Sequence, residues 1–186
     1  MKAPNNQSDT ISKDGIASYA RQITSPNFDD RPSECDVDMI VIHNISLPPS
    51  TYGGNGIIEL FTNKLNPDAH PYYATIYTAK VSTHFLIRRD GELIQFVPCT
   101  QRAWHAGTSQ WQSRERCNDF SVGIELEGSD FETFEAVQYE ALNALIKLLK
   151  ETYPIQHIVG HSDIAPGRKT DPGPFFDWAK MTGNKD

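Results

Sequence analysis

The sequence predicts a single α/β domain in which helices flank a mixed central β-sheet. One observation is an alternating apolar pattern on both sides of the turn dipeptide Asp90-Gly91, which is typical of an antiparallel hairpin. A second is a strand pattern at 122–126, a helix pattern at 134–152 and another strand pattern at 157–160. This order is that of a βαβ unit, whose strands are parallel. A sheet that contains both connections is mixed.

Length and charge restrict the organisation and the partners. A chain of 186 residues is most simply one domain, here 1–186, with a polar segment 1–10 that we expect to be disordered. The net charge of −7 argues against a nucleic-acid or anionic-membrane partner, whose binding surface would be basic. No apolar run approaches the roughly 18 to 20 residues of a membrane span, and the N-terminal residues lack the apolar core of a signal peptide. We therefore expect a cytoplasmic monomer that binds a small molecule.

The first half of the chain contains one strong strand signal. Residues 16–23 predict a short helix, which the Pro- and Asp-rich segment 25–32 ends. The continuous apolar run at 38–43 predicts a strand buried on both faces. Residues 47–77 are rich in Pro, Gly and Asn around one helical candidate at 56–63. A loop of that length in a compact domain is usually functional.

The second half supplies the rest of the sheet. The hairpin covers residues 82–97, and the strand at 122–126 follows a second loop. The helix at 134–152 places Val137, Ala141, Leu145 and Leu148 at spacings of four and three, which puts them on one face. The short apolar run at 157–160 then ends directly before a histidine.

That histidine, His161, begins a turn-rich loop that contains Lys169 and Asp171. Prolines and glycines at 166–167 and 172–174 prevent regular structure, so the loop follows a fixed, non-helical path. Imidazole nitrogens and carboxylate oxygens are good Zn²⁺ ligands, and a hydrolytic zinc site uses three protein ligands. The loop supplies His161 and Asp171, so a third ligand has to come from elsewhere.

The best candidate for the third ligand is His43, at the end of the buried strand 38–43. Ligand sites in open α/β sheets lie at the carboxyl ends of the strands. His43 and His161 converge there if their strands are parallel neighbours. The alternative is that each histidine is simply a hydrogen-bonded residue at a strand end.

Glu125 is the candidate general base. Strand alternation places Ser121, Gly123 and Glu125 on one face, so small residues flank the carboxylate and leave space above it. Beside the His43 strand, Glu125 could accept a proton from the attacking water. Glu127 shares that face, and an exposed charge on an edge strand is the alternative. Lys169 could stabilise a developing oxyanion, although a loop lysine is usually just solvated.

The remaining histidines and the cysteines give weaker signals. His70, His84 and His157 lack partners at ligand spacing, so we leave them out of the metal site. Three cysteines, an odd number without C-x-x-C spacing, predict free thiols rather than a disulfide framework.

Four segments carry a resemblance to a known family. They are Ile42–Pro49, Trp104–Gly107, Cys117–Gly128 and Gly160–Pro174. Together they resemble the bacterial 1,6-anhydro-N-acetylmuramyl-L-alanine amidases of the AmpD type, and the match runs from about Tyr19 to Trp178. This zinc amidase family shares its fold with phage lysozyme-type amidases and peptidoglycan recognition proteins.

The resemblance implies roles that agree with those argued from the residues. It makes His43, His161 and Asp171 the ligands of one Zn²⁺, Glu125 the catalytic acid/base and Lys169 the oxyanion-stabilising group. It also implies the substrate, which is the amide between the lactyl group of 1,6-anhydro-N-acetylmuramic acid and L-alanine in cytosolic muropeptides. Cleavage of this bond belongs to peptidoglycan recycling and thereby to the regulation of β-lactam resistance.

The peptide part of such a substrate carries carboxylates, which arginine binds well. By the resemblance Arg116 is a peptide-carboxylate contact, and Lys80 stands where relatives often have arginine. Asn44 could hydrogen-bond the substrate or be a turn residue. Trp104 could line the cleft, and His105 could line it or be structural.

Two other functions are weighed against the recycling amidase. One is an amidase that acts on polymeric murein, which the missing signal peptide disfavours. The other is a muropeptide-binding module without catalysis. Such modules typically lose a metal ligand, whereas this sequence retains all three.

Overall fold

The computed structural model describes residues 9–181. Of the segment 1–10 that was predicted to be disordered, residues 1–8 lie outside the described residues, and residues 9 and 10 are described. There, Thr10 exchanges two hydrogen bonds with Ser18.

The described residues form ten strands and four α-helices, with 3-10 turns at Cys117–Asp119 and Trp178–Lys180. The strands are β1 (Arg21–Gln22), β2 (Phe28–Asp30), β3 (Met39–Ile45), β4 (Phe85–Ile87), β5 (Leu93–Gln95), β6 (Gln101–Ala103), β7 (Gln110–Trp111), β8 (Arg114–Glu115), β9 (Ser121–Glu127) and β10 (His157–Gly160). The helices are α1 (Gly56–Phe61), α2 (Tyr73–Ile76), α3 (Ala136–Thr152) and α4 (His161–Ile164).

The main sheet has six strands in the order β1-β5-β4-β9-β3-β10. Strand β3 is parallel to both β9 and β10, and β4 is parallel to β9. The hairpin β4–β5 is antiparallel, with Asp90 and Gly91 in its turn. Both predicted connections are present, so the mixed α/β sheet flanked by helices is confirmed. The short pairs β2–β6 and β7–β8 add two small antiparallel ribbons that the sequence pattern did not predict.

Helix α3 covers one face of this sheet. Its buried leucines at 142, 145 and 149 pack with Ile40, Ile42, Val122 and Ile124 in one apolar cluster. Because strand side chains alternate, the residues between these positions face away from α3. His43 and Glu125 are therefore on the opposite face, where a smaller apolar cluster around Val41 and Val159 stops short of the strand ends.

The predicted helix at 16–23 is wrong. This segment contains an isolated bridge between Ile11 and Ala17, and then strand β1, which pairs with β5. The buried side chain of Gln95 donates to the Gly15 carbonyl and accepts from the Ala17 amide, at 2.7 and 2.9 Å. These contacts with a distant strand satisfy backbone groups that a helix would have bonded internally.

The long segment 47–77 contains the predicted helix as α1, and a second short helix, α2, that was not predicted. The two are linked at Gly56, where an added Cβ would lie 2.5 Å from the Tyr73 hydroxyl. The segment thus packs against the sheet through its own apolar cluster, which includes Ile57, Phe61 and Tyr73. Within residues 9–181, no helix combines the length and the apolarity that a membrane crossing requires.

Candidate metal centre

Two parallel strands deliver the two histidines to one edge of the sheet. Strand β10 pairs with β3, and Gly160 lies opposite Ile42. The residues that follow this pair in the chain are His161 and His43. His43 is the fifth residue of β3, and His161 opens α4 directly after β10. The condition that their strands be parallel neighbours is met.

Three ligand atoms converge at this edge. The Nδ1 atoms of His43 and His161 are 2.9 Å apart, and Asp171 Oδ2 lies 2.9 Å from the first and 3.0 Å from the second. Ligands at about 2.0 to 2.1 Å from a tetrahedral Zn²⁺ would be separated by roughly 3.3 Å. The triangle is therefore of the right size for one zinc ion, with a small outward adjustment.

The chemistry of these atoms also fits a cation. His161 Nε2 lies 3.0 Å from the Ala106 carbonyl, which can only accept, so Nε2 carries the hydrogen and Nδ1 presents a lone pair. Burial lowers the pKa of His43 to about 4, which keeps that ring neutral near pH 7. Burial opposes ionisation of Asp171, but its contacts with the His161 and His43 rings outweigh burial and hold its pKa below the usual range. Two neutral imidazoles and a carboxylate are the protonation states that zinc requires.

Glu125 lies beside the metal ligands. It is paired with His43 across the parallel strands β9 and β3, so the two side chains project from the same face at neighbouring positions. The residue is 8% exposed, and its buried Oε2 has no hydrogen-bond partner among the described residues. Burial, followed by the charge of Asp171, raises its pKa well above the ordinary value, while Lys169 opposes this. A strongly basic carboxylate results.

The structure decides between the alternatives for the two glutamates. Strand β9 lies inside the sheet, so Glu125 is not an exposed charge at an edge. Glu127 accepts hydrogen bonds from Gly53 N, Arg89 N and the Arg88 guanidinium. It therefore ties three backbone segments together. The space expected above Gly123 is filled by the His105 imidazole, so only the Glu125 end of the face is open.

A cavity of about 440 Å³ opens over the ligands. Among its lining residues are His43, Asn44, Tyr72, Trp104, His105, Glu125, Phe131, His161, Lys169 and Asp171. Lys169 is exposed, and its charge lowers the pKa of both Glu125 and His43. The predicted cation therefore faces the same space as the predicted base.

The four predicted substrate contacts are placed differently. Asn44 and Trp104 line this cavity, but the Asn44 amide donates to Asp130 Oδ1 and the Pro172 carbonyl at 2.7 and 3.0 Å. Lys80 is exposed and is not among the lining residues, although the adjacent Val81 is. Arg116 forms an ion pair with Asp119 at 3.1 Å and lines a separate cavity beside Gly107.

The sequence did not identify several residues that hold the site together. Arg168 donates to the carbonyls of Ala106 and Thr108 at 2.7 and 2.6 Å, which joins the ligand loop to residues 106–108. Asn118 Oδ1 accepts from the amides of His105 and Ala106 at 3.2 and 2.8 Å. Contacts between segments this far apart leave no local signal. For Arg168, its position next to Lys169 was the only hint.

The other histidines lie outside the ligand triangle. His84 is buried against His105, with ring centroids 5.7 Å apart. Both of its ring nitrogens are hydrogen-bonded, Nε2 with the Gln101 carbonyl and Nδ1 with the Gly123 amide. The His70 ring lies tilted against Tyr73, and His157 contacts Trp111. Within residues 9–181, the group of side chains suited to a metal consists of His43, His161 and Asp171.

Comparison with known proteins agrees with this geometry. Residues 33–174 match the family model of N-acetylmuramoyl-L-alanine amidases. The 1,6-anhydro-N-acetylmuramyl-L-alanine amidase AmpD of Escherichia coli (strain K12) is 54% identical over 164 residues, which cover 87% of this chain and 90% of the relative.

Solved structures give the same result. A crystal structure of a selenomethionine AmpD derivative superposes with a TM-score of 0.89 at 52% identity, covering 90% of this chain and 95% of the other. The amidase AmiD from E. coli, solved with anhydro-N-acetylmuramic acid-L-Ala-D-γ-Glu-L-Lys, gives a TM-score of 0.58 at 30% identity and covers 81% of this chain and 58% of the other. The chain therefore belongs to the N-acetylmuramoyl-L-alanine amidase family.

Proposed function

We propose that this protein is a zinc-dependent amidase of peptidoglycan recycling. Its substrate would be a cytosolic muropeptide, and the bond cleaved would join the lactyl group of 1,6-anhydro-N-acetylmuramic acid to L-alanine. The observation that carries the proposal is the ligand triangle at the floor of a cavity with Glu125 beside it. The high identity to an anhydromuramyl-L-alanine amidase supports the substrate.

His43, His161 and Asp171 would hold one Zn²⁺. When bound, this ion supplies Lewis acidity, which acidifies water and polarises the scissile carbonyl. The protein contributes the ligand set, whose three atoms lie within 3.0 Å of one another.

Glu125 would act as the general base and then as the acid. Its burial raises the pKa and so makes the carboxylate a stronger base toward the attacking water. The same carboxyl group can return that proton to the amine of L-alanine as the amide bond breaks. The Oε2 atom is available for this because no other described group hydrogen-bonds to it.

Lys169 would stabilise the negative charge that develops on the carbonyl oxygen. It lines the cavity and lowers the pKa of Glu125, so its charge acts across the reaction space. A positive group that faces the position where negative charge develops stabilises that charge.

Substrate contacts inside the cavity would come from Trp104 and Asn44. We propose that Lys80 and Arg116 reach the peptide carboxylates from outside the cavity; for Arg116, its place beside a separate cavity makes this a long reach. As a point charge, Lys80 would bind a carboxylate less tightly than an arginine fork. We further propose a cytoplasmic monomer, which cell fractionation and sedimentation can test.

The first test is zinc content and hydrolysis of anhydromuramyl-tripeptide by the purified protein, before and after chelation. We expect one zinc per chain, activity that chelation abolishes, and recovery when zinc is returned. Intact sacculi provide the comparison with the polymeric substrate, and faster release from them would favour the murein-degrading alternative. Muropeptide binding without turnover in the presence of zinc would make the protein a recognition module.

A further inference from the structure

A buried chain of hydrogen bonds leads from His43 back into the sheet. His43 Nε2 lies 3.0 Å from His105 Nδ1, and His105 Nε2 lies 3.2 Å from Ser121 Oγ. The Ser121 hydroxyl is 2.6 Å from the Cys117 carbonyl oxygen. His43, His105 and Ser121 are all buried, so each polar atom depends on these partners.

The chain has only one consistent direction. A carbonyl oxygen can only accept, so Ser121 donates its single hydrogen to Cys117. The Ser121 oxygen must then accept from His105 Nε2, which carries the hydrogen of that ring. The ring is buried and its hydrogen-bond partners are an imidazole and a hydroxyl group, so it carries one hydrogen, on Nε2, and its Nδ1 is an acceptor.

The direction of the chain also fixes the tautomer of the metal ligand His43. Because His105 Nδ1 accepts, His43 Nε2 has to be the donor. A neutral imidazole has one hydrogen, so His43 Nδ1 presents a bare lone pair to the other two ligand atoms. This is the tautomer that a metal needs.

His105 cannot easily rotate out of this chain. Its ring lies against Gly123, where an added Cβ would be 2.5 Å from Cγ, and the His84 ring packs beside it. The backbone amides of His105 and Ala106 both donate to Asn118. The segment that holds the His105 ring also provides the Ala106 carbonyl, which orients His161.

We propose that His105 and Ser121 are positioning residues that set the tautomer of His43 and present its Nδ1 to the metal. This inference rests on the proposed function in one respect, namely that His43 is a zinc ligand. Outer partners of this kind typically change metal affinity by about 10- to 100-fold when they are removed.

A competing interaction with Asp171 favours the other tautomer of His43. Asp171 Oδ2 lies 2.9 Å from His43 Nδ1 and would accept a hydrogen there in the absence of a metal. With that tautomer His43 Nε2 would be the acceptor and His105 Nδ1 the donor. The lone pair of His105 Nε2 would then face Ser121, and the Ser121 hydroxyl could donate either to His105 or to the Cys117 carbonyl but not to both, so one contact would join two lone pairs. The inference requires that the buried chain outweigh the single bond to Asp171.

The direct test is the tautomer of His43 in zinc-free protein labelled with ¹⁵N-histidine, read from long-range proton–nitrogen correlations. We expect the hydrogen on Nε2 of the wild-type ring, and a population with the hydrogen on Nδ1 in Ser121→Ala. Ser25→Ala is the matched control. Ser25 is equally buried and donates to the Phe61 carbonyl at 2.5 Å, but it does not contact the metal ligands.

Zinc dissociation constants, measured by competition with a chelator, provide the second readout. We expect Ser121→Ala and His105→Leu to weaken zinc binding by about 10- to 100-fold, and Ser25→Ala to leave it unchanged. His105→Asn should retain most of the affinity, because its amide oxygen can accept from His43 in place of Nδ1.

Two results would overturn the inference. One is a wild-type zinc-free protein in which His43 carries its hydrogen on Nδ1, a measurement that needs no variant to fold. The other is a folded Ser121→Ala protein with wild-type tautomer and wild-type zinc affinity. Failure of the wild-type protein to bind zinc would instead overturn the proposed function, and the tautomer would still decide the inference.

Discussion

Gly123→Ala tests whether the packing of His105 controls the metal site. Gly123 lies on the site face of β9, two residues before Glu125. An added Cβ would lie 2.5, 2.7 and 2.8 Å from Cγ, Nδ1 and Cδ2 of His105. Ordinary carbon contacts are about 3.5 to 4.0 Å, so the imidazole has to move by roughly 1 Å.

That displacement is enough to break a hydrogen bond. His105 Nδ1 is 3.0 Å from His43 Nε2, and a further 1 Å exceeds the distance at which such a bond persists. Overpacking of this kind costs about 1 to 3 kcal/mol of stability. Loss of the partner to His43 should in addition weaken zinc binding by about 10- to 100-fold.

The assay combines urea unfolding of the zinc-free protein with a zinc dissociation constant from chelator competition. Gly128→Ala is the matched control for steric damage, because its Cβ would lie 2.3 Å from Phe134 Cε1, in the apolar cluster under α3. Gly54→Ala adds a methyl group to open space. We expect Gly128→Ala to lose stability but keep zinc affinity, and Gly54→Ala to change neither.

Wild-type zinc affinity in a destabilised Gly123→Ala protein would refute the reasoning. It would mean that the contact between His105 and His43 does not influence the ligand. An equal loss of affinity in Gly128→Ala would refute it as well, because general destabilisation would then explain both.

Four further predictions concern the ligands, the base, the cation and pH. Glu125→Gln keeps the shape but cannot accept a proton, so kcat should fall by about 10²- to 10⁴-fold with zinc content unchanged; a rate within tenfold of wild type would remove Glu125 from the mechanism. Asp171→Ala should lose zinc and activity together, and stoichiometric zinc by elemental analysis would contradict this. Lys169→Ala should lower kcat by about 10²-fold or more with little change in zinc affinity, and Lys169→Arg should recover part of the rate; an effect on KM alone would assign Lys169 to ground-state binding. In zinc-free protein the folded pKa values of His43 and His84 are about 4 and about 3, against an ordinary 6.5, so the unfolded chain takes up protons first as the pH falls. Glu125 acts in the opposite direction, because its raised pKa lets the folded protein take up a proton as the pH falls, so the test uses the Glu125→Gln variant. In that variant stability should drop below about pH 6.5, by about 2 kcal/mol for each histidine at pH 5, and urea unfolding that is flat between pH 7.5 and 5 would contradict this.

The sequence by itself determined the elements whose signals are local. The apolar run of β3, the Asp-Gly turn of the hairpin and the helical periodicity of α3 each depend on residues within a few positions, and all three are present. The predicted apolar face of α3 is wrong in part, because Val137 is exposed and the buried face carries Leu142, Leu145 and Leu149. The residue types in the 161–171 loop likewise predicted zinc ligands, although its first four residues form helix α4 and not the non-helical path that was predicted. Where local preference was overridden, at 16–23, a distant side chain, Gln95, had replaced the internal hydrogen bonds of a helix.

Tertiary structure alone decided how these pieces meet. The register that sets His43 opposite Glu125 comes from the pairing of β3 with β9, and His43 and Asp171 approach within 2.9 Å although they are 128 residues apart. The same holds for His105, whose sequence signal was equally compatible with a cleft residue and a structural one. A polar side chain takes its role from whichever buried donors and acceptors the fold brings to it, and sequence spacing does not encode those partners.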